Sequence, residues 1–431
     1  MRGLTSVLDG LEQSVHAVLD SRLSARTSAP LAVGLSGGGD SLALLLMARS
    51  WGKAHGRSIV ALTVDHGLQA QGRDWARACA ARCEALGIEH KGLAWTGPKP
   101  ASGLPAAARA ARHALLADAA RAAGASVLLL GHTADDLAES AVMRDAGSTV
   151  PDPRVWTPSP AWPEGRDVFL LRPMLSVRRG DLRSWLTERG ERWIEDPANE
   201  DPNFARARAR LVLGQSADDP AVSNEVADHR PSTAVWTSWG AARVSRTVGA
   251  RELAAACLCA AGTSRPPRSH RINALIDRLA KRGDFSATLA GARIQTMGDQ
   301  VSVCREAGEY SRRPSPVLNL LHNRTGVFDG RFEITACLAD LTVHPLLGNV
   351  RRLPEDQQKA LKALPAAARP SLPVVRTKAG LWTCPILADS PEVSARSLSR
   401  KRFEAFMGDI FREADAQPVA ASGEVAGGVL S

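Results

Sequence analysis

Residues Leu31 to Ser41 read LAVGLSGGGDS, and this stretch decides the fold of the first half of the chain. The aliphatic run at its start is typical of a strand buried on both faces of a parallel sheet, and a helical pattern follows it. Consecutive glycines let the backbone approach a ligand, and the start of the following helix directs N–H groups and a positive dipole at an anion. We therefore predict a phosphate-binding turn formed by Ser36, Gly37, Gly38, Gly39, Asp40 and Ser41. No Lys follows the glycines, so the turn is not a G-x-x-x-x-G-K-[ST] loop, and Asp40 beside a phosphate calls for Mg²⁺ between them.

Three further aliphatic runs, at 59–64, 127–130 and 168–171, repeat this strand pattern, with helical stretches at 41–54, 72–86 and 106–123 between the strands. Such alternation predicts a doubly wound, mainly parallel α/β domain of the Rossmann-like kind over residues 1–215. Ligands of open α/β sheets bind outside the carboxyl ends of the strands. Polar residues follow each run, among them Asp65 and His66 after the second, so we expect them to gather at one edge.

An acidic group follows the third run, where His132 precedes Asp135, Asp136 and Glu139. On a helix these spacings place the carboxylates on one face, where they repel one another. A cation should offset that repulsion, and both Mg²⁺ and the amino group of a substrate are candidates. The alternative is a solvated acidic helix start, which the helix dipole favours.

Two groups of arginines are candidates for binding phosphate. Arg109 and Arg112 share a helix face, and guanidinium pairs suit phosphate oxygens. Arg206, Arg208 and Arg210 alternate with alanine, and at a period of two they would line one side of an extended segment. Solvated surface arginines are the alternative in both cases.

The second half of the chain is less regular. We predict a linker at 216–240, a mostly helical first C-terminal domain at 241–310, a mixed α/β domain at 325–413 and a flexible tail at 414–431. Residues 287–305 have a strand–turn–strand pattern around Gly298 and Asp299. Cations concentrate at 265–282 and predict a surface for a nucleic-acid backbone, formed by Arg265, Arg268, Arg271, Arg278, Lys281 and Arg282.

Composition limits the class of protein. The 431 residues include 54 Lys and Arg against 45 Asp and Glu, a net charge of +9 that favours polyanionic partners. Hydrophobic residues make up 44%, which excludes a chain disordered throughout, and no apolar stretch is long enough to span a membrane. The seven cysteines include no C-x-x-C pair, and no signal-peptide core follows Met1, so we expect a cytoplasmic protein.

Six motifs, in order, resemble those of known enzymes. The turn SGGGDS is similar to the S-G-G-x-D-S signature of PP-loop ATP pyrophosphatases, which adenylate an oxygen of their substrate. The motifs that follow resemble those of the tRNA(Ile)-lysidine synthetases: VDHGL at 64–68, ARAARH at 108–113, GHTADDLAES at 131–140, RPML at 172–175, and DPAN at 196–199 with RARAR at 206–210. His113 stands where this family usually has Tyr, and Ser140 stands for its usual Thr.

This resemblance implies an ATP-dependent ligase that attaches L-lysine to the wobble cytidine of the CAU-anticodon isoleucine tRNA. It implies catalytic roles for Asp40, Asp136, Glu139, Arg109 and Arg112. Asp65 and His66 would join the glycine turn in ATP binding, and Asp40 and Asp136 would hold Mg²⁺. Lysine would be bound by Asp135, Asp136, Glu139 and His132. Phosphate or tRNA would be bound by Arg206, Arg208, Arg210, Arg265, Arg268 and Arg271.

Two other functions stay open at this point, as does a homodimer. A tRNA thiolase of the same superfamily would use the same ATP turn, but it generally needs cysteines near the site, and none lies between Cys83 and Cys257. A non-catalytic nucleotide- and RNA-binding module would bind ATP without releasing pyrophosphate.

Overall fold

The computed structural model describes residues 2–148, 152–196, 205–214, 232–281, 283–312 and 316–416. The chain divides into two compact units, one comprising residues 1–227 with 410–431 and the other residues 228–409. Among the described helices, none combines the length and the apolar character needed to cross a bilayer.

The first unit contains the predicted glycine turn and its sheet. In chain order its elements are α1 (Arg2–Arg22), β1 (Leu31–Gly34), α2 (Gly39–His55), β2 (Ile59–Asp65), α3 (Gly72–Leu86), β3 (Glu89–Ala94), α4 (Leu104–Ala122), β4 (Val127–Leu129), α5 (Ala134–Asp145), β5 (Trp156–Pro158), β6 (Phe169–Leu171), α6 (Arg179–Glu188) and α7 (Ala205–Gly214).

Its six strands form one sheet in the order β3-β2-β1-β4-β6-β5. Neighbouring strands are parallel except β5, which pairs antiparallel with β6 at the edge. Alternate residues of β1 enter opposite cores: Leu31 and Val33 pack in one with Trp51 of α2, and Ala32 packs in the other with Leu116 of α4. Helices therefore cover both faces, which confirms the doubly wound sheet.

Two strands of this sheet carry no continuous aliphatic run. Strand β3 reads EHKGLA and has no fully buried residue, and β5 reads WTP and is half-buried. Both lie at the ends of the sheet, where a strand has a partner on one side only. An edge strand does not need to be apolar on both faces, so its sequence carries a weaker signal.

The second unit is built from three small sheets. Its elements are β7 (Val235–Trp236), β8 (Ala242–Ser245), α8 (Ala250–Ala261), α9 (Ser269–Ala280), β9 (Ser286–Leu289), β10 (Ala292–Met297), β11 (Gln300–Arg305), α10 (Glu309–Arg312), β12 (Leu318–Leu320), β13 (Thr325–Phe328), β14 (Phe332–Ala336), β15 (Leu341–Pro345), α11 (Glu355–Lys362), β16 (Pro373–Thr377), β17 (Trp382–Thr383), β18 (Val393–Ser397) and α12 (Ser399–Met407). The sheet orders are β7-β8-β11-β10-β9, β12-β15-β16-β17 and β13-β14-β18.

The region 241–310 differs from the mostly helical domain that the sequence predicted. Helices α8 and α9 are present, but they share one core with the five-stranded sheet. Strand β8 reads ARVS, and its alternation of buried and exposed residues is too short to stand out beside the alanine-rich helix that follows. The predicted hairpin is present, with β10 and β11 paired antiparallel from Ala292 to Arg305.

The chain returns to the first unit at its end. Residues 414–416 of the predicted tail belong to a short helix, α13 (Glu413–Ala416), in which Glu413 is fully buried. Residues 417–431 and most of the predicted linker, 215–231, lie outside the described residues.

Candidate active site

The glycine turn follows β1 and opens α2, as predicted. Gly37 has a φ of +87°, and a Cβ there would lie 2.6 Å from Cδ1 of Ile194. Glycine is therefore required at this position both for the backbone conformation and for the close approach. Ile194 also donates its backbone N–H to the Gly37 carbonyl at 2.9 Å, and the Trp193 ring lies 3.5 Å from the Cβ position of Gly39. Neither Trp193 nor Ile194 was singled out from the sequence.

The two serines of the turn stabilise it through hydrogen bonds within the turn. Ser41 Oγ accepts the Ser36 N–H at 3.1 Å and donates to the Gly38 carbonyl at 2.9 Å, and the two hydroxyls are 3.1 Å apart. These contacts hold the turn in shape, which leaves the backbone amides as the groups that can face an anion.

A second turn, after β4, packs directly on the first. A Cβ on Gly131 would lie 3.1 Å from the backbone of Asp40. This close approach brings the start of α5, with its acidic residues, next to the start of α2. The carboxyl ends of neighbouring strands thus supply one shared site, as expected for a sheet of this type.

The carboxylates of Asp40, Asp136 and Glu139 meet at the side chain of Arg179. Its Nε donates to Asp40 Oδ2 at 3.0 Å, its Nη1 donates to Glu139 Oε1 at 3.0 Å, and its Nη2 lies 3.6 Å from Asp136 Oδ2. The pKa of Arg179 is raised because these three carboxylates outweigh its burial. Sequence reasoning missed this residue, although it opens α6 soon after β6 and hence at the same edge of the sheet.

Asp135 and Asp136 also have local roles at helix starts. Asp135 Oδ2 accepts the backbone N–H of Arg179 at 2.7 Å and so caps α6. Asp136 Oδ2 accepts the N–H of Thr133 at 2.9 Å and its hydroxyl at 3.1 Å, which closes a capping box at the start of α5. Asp135 therefore has a structural contact, and its contact with lysine stays a prediction.

Arg206, Arg208 and Arg210 lie on helix α7, so the predicted extended segment was wrong. Alanine and arginine are both good helix formers, and their alternation is compatible with a helix. The four-residue spacing then places Arg206 and Arg210 on one face. Arg206 Nη1 is 3.2 Å from Asp136 Oδ1 and Arg210 Nε is 2.7 Å from Glu139 Oε1, whereas Arg208 is exposed.

Glu139 is the most buried of the acids, with 1% of its side chain exposed. Its Oε1 accepts hydrogen bonds from both Arg179 and Arg210. Its Oε2 is buried and has no hydrogen-bond partner in the described part of the chain. A buried carboxylate oxygen without a donor is costly, so this atom is suited to receive a donor from a ligand.

Positive charge accumulates beside the acids. Burial, followed by repulsion from Arg109 and Arg206, lowers the pKa of Arg112 to about 10. Burial likewise lowers the pKa of Arg172 to about 10, again with repulsion from Arg109 and Arg112. Within the described residues, neither Arg109 nor Arg112 has a hydrogen-bond or ion-pair partner. Guanidinium groups held close together, with only Asp136 nearby to offset their charge, form a site for an anion.

His132 is held neutral by its surroundings. Its Nδ1 accepts a hydrogen bond from Arg172 Nε at 3.2 Å, so its proton is on Nε2. Burial, followed by the charge of Arg172, lowers the pKa of His132 to about 3. Burial would raise the pKa of Asp136, but the hydrogen bond from the Thr133 amide and the charges of Arg206 and Arg179 lower it below its usual value.

Asp65 and His66 also lie at this edge. Asp65 Oδ1 accepts the N–H of Gly67 at 2.8 Å, which shapes the turn after β2. His66 is half-buried, and its pKa is lowered by burial and then by Arg112, which places the imidazole near the arginine group. Its ring lies edge-on to Trp95 with centroids 6.3 Å apart.

The arginines predicted to bind RNA in the second unit are on its surface. Arg265, Arg268 and Arg271 are exposed at and before the start of α9. Arg278 is stacked over the Phe285 ring at 4.0 Å, and Arg282 lies outside the described residues. Their role in RNA binding stays a prediction.

The site offers a magnesium ion two carboxylate ligands, and not a complete set of protein ligands. The described residues hold no group of three or more His, Cys, Asp or Glu able to bind a metal. Asp40 and Asp136 are nevertheless neighbours: burial raises the pKa of Asp40 despite Arg179, and repulsion from Asp136 adds to the rise. Mg²⁺ is commonly held by one or two carboxylates together with substrate phosphates, so the donor set fits it.

Comparison with known proteins identifies the family. A PP-loop domain model matches residues 10–217. A tRNA(Ile)-lysidine synthase of Caulobacter vibrioides is 47% identical over 93% of this chain and 98% of its own length. A second one, from Hyphomonas neptunium, is 35% identical over 72% of this chain and 89% of its own length. Among solved structures, a U34-tRNA thiolase of Methanococcus maripaludis is similar at 17% identity and a TM-score of 0.40, over 48% of this chain and 73% of its own, which is too low to carry an argument.

The fold, the glycine turn and the domain match define a PP-loop ATP-binding enzyme. The two lysidine synthases cover most of the chain at identities above 30%. The chain therefore belongs to the tRNA(Ile)-lysidine synthase family, and it is an ATP-using ligase.

Proposed function

We propose that this ligase joins L-lysine to C2 of the wobble cytidine, position 34, of the CAU-anticodon isoleucine tRNA. The product, lysidine, pairs with A rather than G, so the codon read changes from AUG to AUA. One observation carries the proposal: Arg179 joins Glu139, a buried carboxylate with an unpartnered oxygen, to Asp40 of the phosphate-binding turn. The neighbouring Asp136 in turn interacts with Arg109 and Arg112. A cationic amine and a polyanionic nucleotide can thus be bound side by side.

In the first step, O2 of the cytosine attacks the α-phosphate of ATP, and the bond to the β-phosphate breaks with release of pyrophosphate. The amides of the turn from Ser36 to Ser41 would receive the departing phosphates. Arg109 and Arg112 would meet the negative charge that develops on the α-phosphate. Asp40 and Asp136 would hold Mg²⁺, which when bound supplies charge neutralisation to phosphate oxygens.

In the second step, the ε-amine of lysine attacks C2, the C2–O2 bond breaks, and AMP departs with O2. The amine must first lose a proton, since its pKa in water is near 10.4. Glu139 is better suited than Asp136 to accept it, because its Oε2 has no donor in the described residues, whereas Asp136 is stabilised as an anion.

The tRNA would be held at two places on this chain. The exposed arginines Arg265, Arg268 and Arg271 suit backbone phosphates, with Arg208 near the site. The wobble base lies in an anticodon loop, where bases are readily unstacked for chemistry. We place the enzyme in the cytoplasm with its tRNA, and a homodimer stays a prediction that light scattering would test.

Thiolation is less well supported as an alternative. Cys79 and Cys83 are the cysteines of the described sheet unit, and both are buried without a disulfide. Burial raises the pKa of the Cys83 thiol to about 11 and raises that of Cys79 as well, which makes both poor nucleophiles at neutral pH.

The experiment is a turnover assay with the purified chain, ATP, labelled lysine and in vitro-transcribed isoleucine tRNA. We expect label in the tRNA and one pyrophosphate released for each lysine incorporated. Omission of tRNA should abolish pyrophosphate release. Incorporation of sulfur in place of lysine, or ATP binding without any pyrophosphate, would overturn the proposal.

A further inference from the structure

Three guanidinium groups occupy the acidic site where lysine is proposed to bind. Arg179, Arg206 and Arg210 together neutralise the carboxylates of Asp136 and Glu139 and that of Asp40. An incoming ammonium would add a fourth cation to a site that is already balanced. Release of one guanidinium would restore the balance when lysine enters.

Arg179 is firmly anchored. It is the first residue of α6, and its own N–H is fixed by Asp135 at 2.7 Å. Helix α6 packs against α2 and buries Leu182, Trp185 and Leu186 in the main core. The Arg179 side chain is 18% exposed. Displacing it would disrupt a helix that is held by large buried side chains.

Helix α7 buries smaller apolar side chains than α6. Its fully buried side chains are only Ala207 and Ala209, and Leu211 and Val212 are exposed. The side chains of Arg206 and Arg210 are 37% and 34% exposed, about twice as much as Arg179. Elements that bury few apolar groups open at low free-energy cost. The ion pairs to Asp136 and Glu139 are among the contacts that hold this helix.

The unpartnered oxygen of Glu139 cannot be reached in this arrangement. Oε2 is buried, while Arg210 is bound to Oε1 of the same carboxylate. An ammonium can reach Oε2 only after a group that covers Glu139 has moved, and α7 packs against α5, which carries Glu139. Once released, Arg210 can pair with phosphate oxygens, which guanidinium groups bind strongly.

We propose that Arg179 is a positioning residue that stays in place and holds the three carboxylates together, whereas Arg210 is a stand-in for the lysine ammonium that leaves when lysine binds. This inference rests on the proposed function. If the inference holds, lysine should bind more tightly once a phosphate-bearing ligand has bound Arg210 and Arg210 no longer contacts Glu139.

The test is calorimetric titration of L-lysine into the full-length chain, with and without a non-hydrolysable ATP analogue. In the nucleotide-free enzyme, Arg210→Gln should bind lysine about tenfold more tightly than the wild type, since the competing cation is gone. The analogue should tighten binding to the wild type more than to this variant. Arg189→Gln is the matched control, because Arg189 is also 34% exposed and pairs with Glu12 away from the site.

Removal of Arg179 should have the opposite effect. Arg179→Gln should weaken lysine binding at least about tenfold in both states, because the three carboxylates lose their common partner. Arg179→Lys keeps one charge but cannot reach all three carboxylates, so it should recover part of the affinity and serves as the test if the Gln variant does not fold. A raised KM for lysine with a smaller change in the KM for ATP should accompany both variants.

The outcomes separate the two proposals. Unchanged or weaker lysine binding by Arg210→Gln, while the wild type binds lysine with the analogue present, would overturn the exchange. Unchanged binding by Arg179→Lys and Arg179→Gln would overturn the positioning role. No lysine binding by the wild type with analogue and tRNA would instead overturn the proposed function.

Discussion

The first unit contains two buried networks of arginine and carboxylate, and they differ in how completely they are satisfied. One is the acidic site at the carboxyl edge of the sheet, around Arg179. The other joins Arg57 to Glu413 and lies beside the amino ends of the strands, since Arg57 precedes β2 and Ser126 precedes β4.

The Arg57–Glu413 network is complete. Both side chains are at most 1% exposed, and the guanidinium donates to the carboxylate through two bonds of 2.6 and 2.9 Å. Glu413 also accepts the N–H of Ser24 at 2.9 Å and the hydroxyl of Ser126 at 3.3 Å, and Arg57 Nε donates to the Ala29 carbonyl at 2.8 Å. Each charge has its partners, as a structural ion pair must.

The acidic site is incomplete in two respects. An oxygen of Glu139 lacks a donor, and Arg109 and Arg112 form no direct ion pair with a described residue. Such unsatisfied groups are destabilising and persist where they serve a ligand. The contrast teaches that the completeness of a buried network, rather than its charge, distinguishes a structural ion pair from a site.

The largest effect should come from Asp40. Asp40→Asn removes the carboxylate next to the phosphate turn, and we expect pyrophosphate release to fall by at least about 10³-fold, within the range for loss of a group that stabilises developing charge. The melting temperature should change little, because Asp40 is partly exposed. Turnover near that of the wild type would contradict a catalytic role for this residue.

Substitution of Glu413 should lower the stability of the protein and leave its activity unchanged. Glu413→Gln leaves Arg57 buried without its counter-charge, which should cost about 3–5 kcal/mol of unfolding free energy, measured by denaturant titration. Turnover of the folded fraction should stay close to that of the wild type. Asp415→Asn in the same helix disrupts a more exposed pair with Arg412 and should cost less than about 1 kcal/mol. Equal stability of both variants would refute the structural role.

Loss of one unpaired arginine should reduce activity and leave the fold intact. Arg112→Ala should lower kcat/KM for ATP about 100-fold, because a charge beside the developing α-phosphate is lost. Stability should stay the same or rise, since repulsion from Arg109 is relieved. A loss of stability without loss of kcat/KM would place Arg112 with the structural pairs.

The smallest effect, on the pH dependence of stability, should come from a substitution of His113. This residue is buried, and neither of its ring nitrogens has a hydrogen-bond partner among the described residues. Burial, followed by the charge of Arg112, lowers the pKa of His113 to about 3, below its unfolded value near 6.5. The unfolded state therefore binds more protons between pH 6.5 and 3, so stability is complete above pH 6.5 and falls as the pH decreases.

His113→Leu removes this titration. The gain in unfolding free energy relative to the wild type should be about 2 kcal/mol larger at pH 5 than at pH 8. Denaturant titration at the two pH values measures it. A variant with the same pH dependence as the wild type would show that His113 is not held neutral.

Much of the catalytic unit could be predicted from the sequence, and the exceptions have physical causes. The inner strands β1, β2, β4 and β6 have aliphatic runs because both faces are buried, whereas the edge strands β3 and β5 do not. The residues named at the carboxyl edge follow strands, where ligands of this fold bind.

What the sequence did not reveal depends on contacts between distant segments. Arg179 and Ile194 reach the glycine turn from more than a hundred residues away, and no local pattern marks either. The alternation of arginine and alanine at 206–210 is compatible with a strand or a helix, and only the pairing with Asp136 and Glu139 distinguishes them. Glu413 was predicted to end the mixed α/β domain at 325–413, whereas it pairs with Arg57 in the first unit.

Mass spectrometry of the wobble nucleoside tests the central claim most directly. The isoleucine tRNA with a CAU anticodon is incubated with the chain, ATP and lysine, and is then digested to nucleosides. We predict that cytidine 34 gains the mass of one lysine less one water, and that Glu139→Gln abolishes the gain. An unchanged cytidine in the presence of a folded, ATP-binding enzyme would contradict the account.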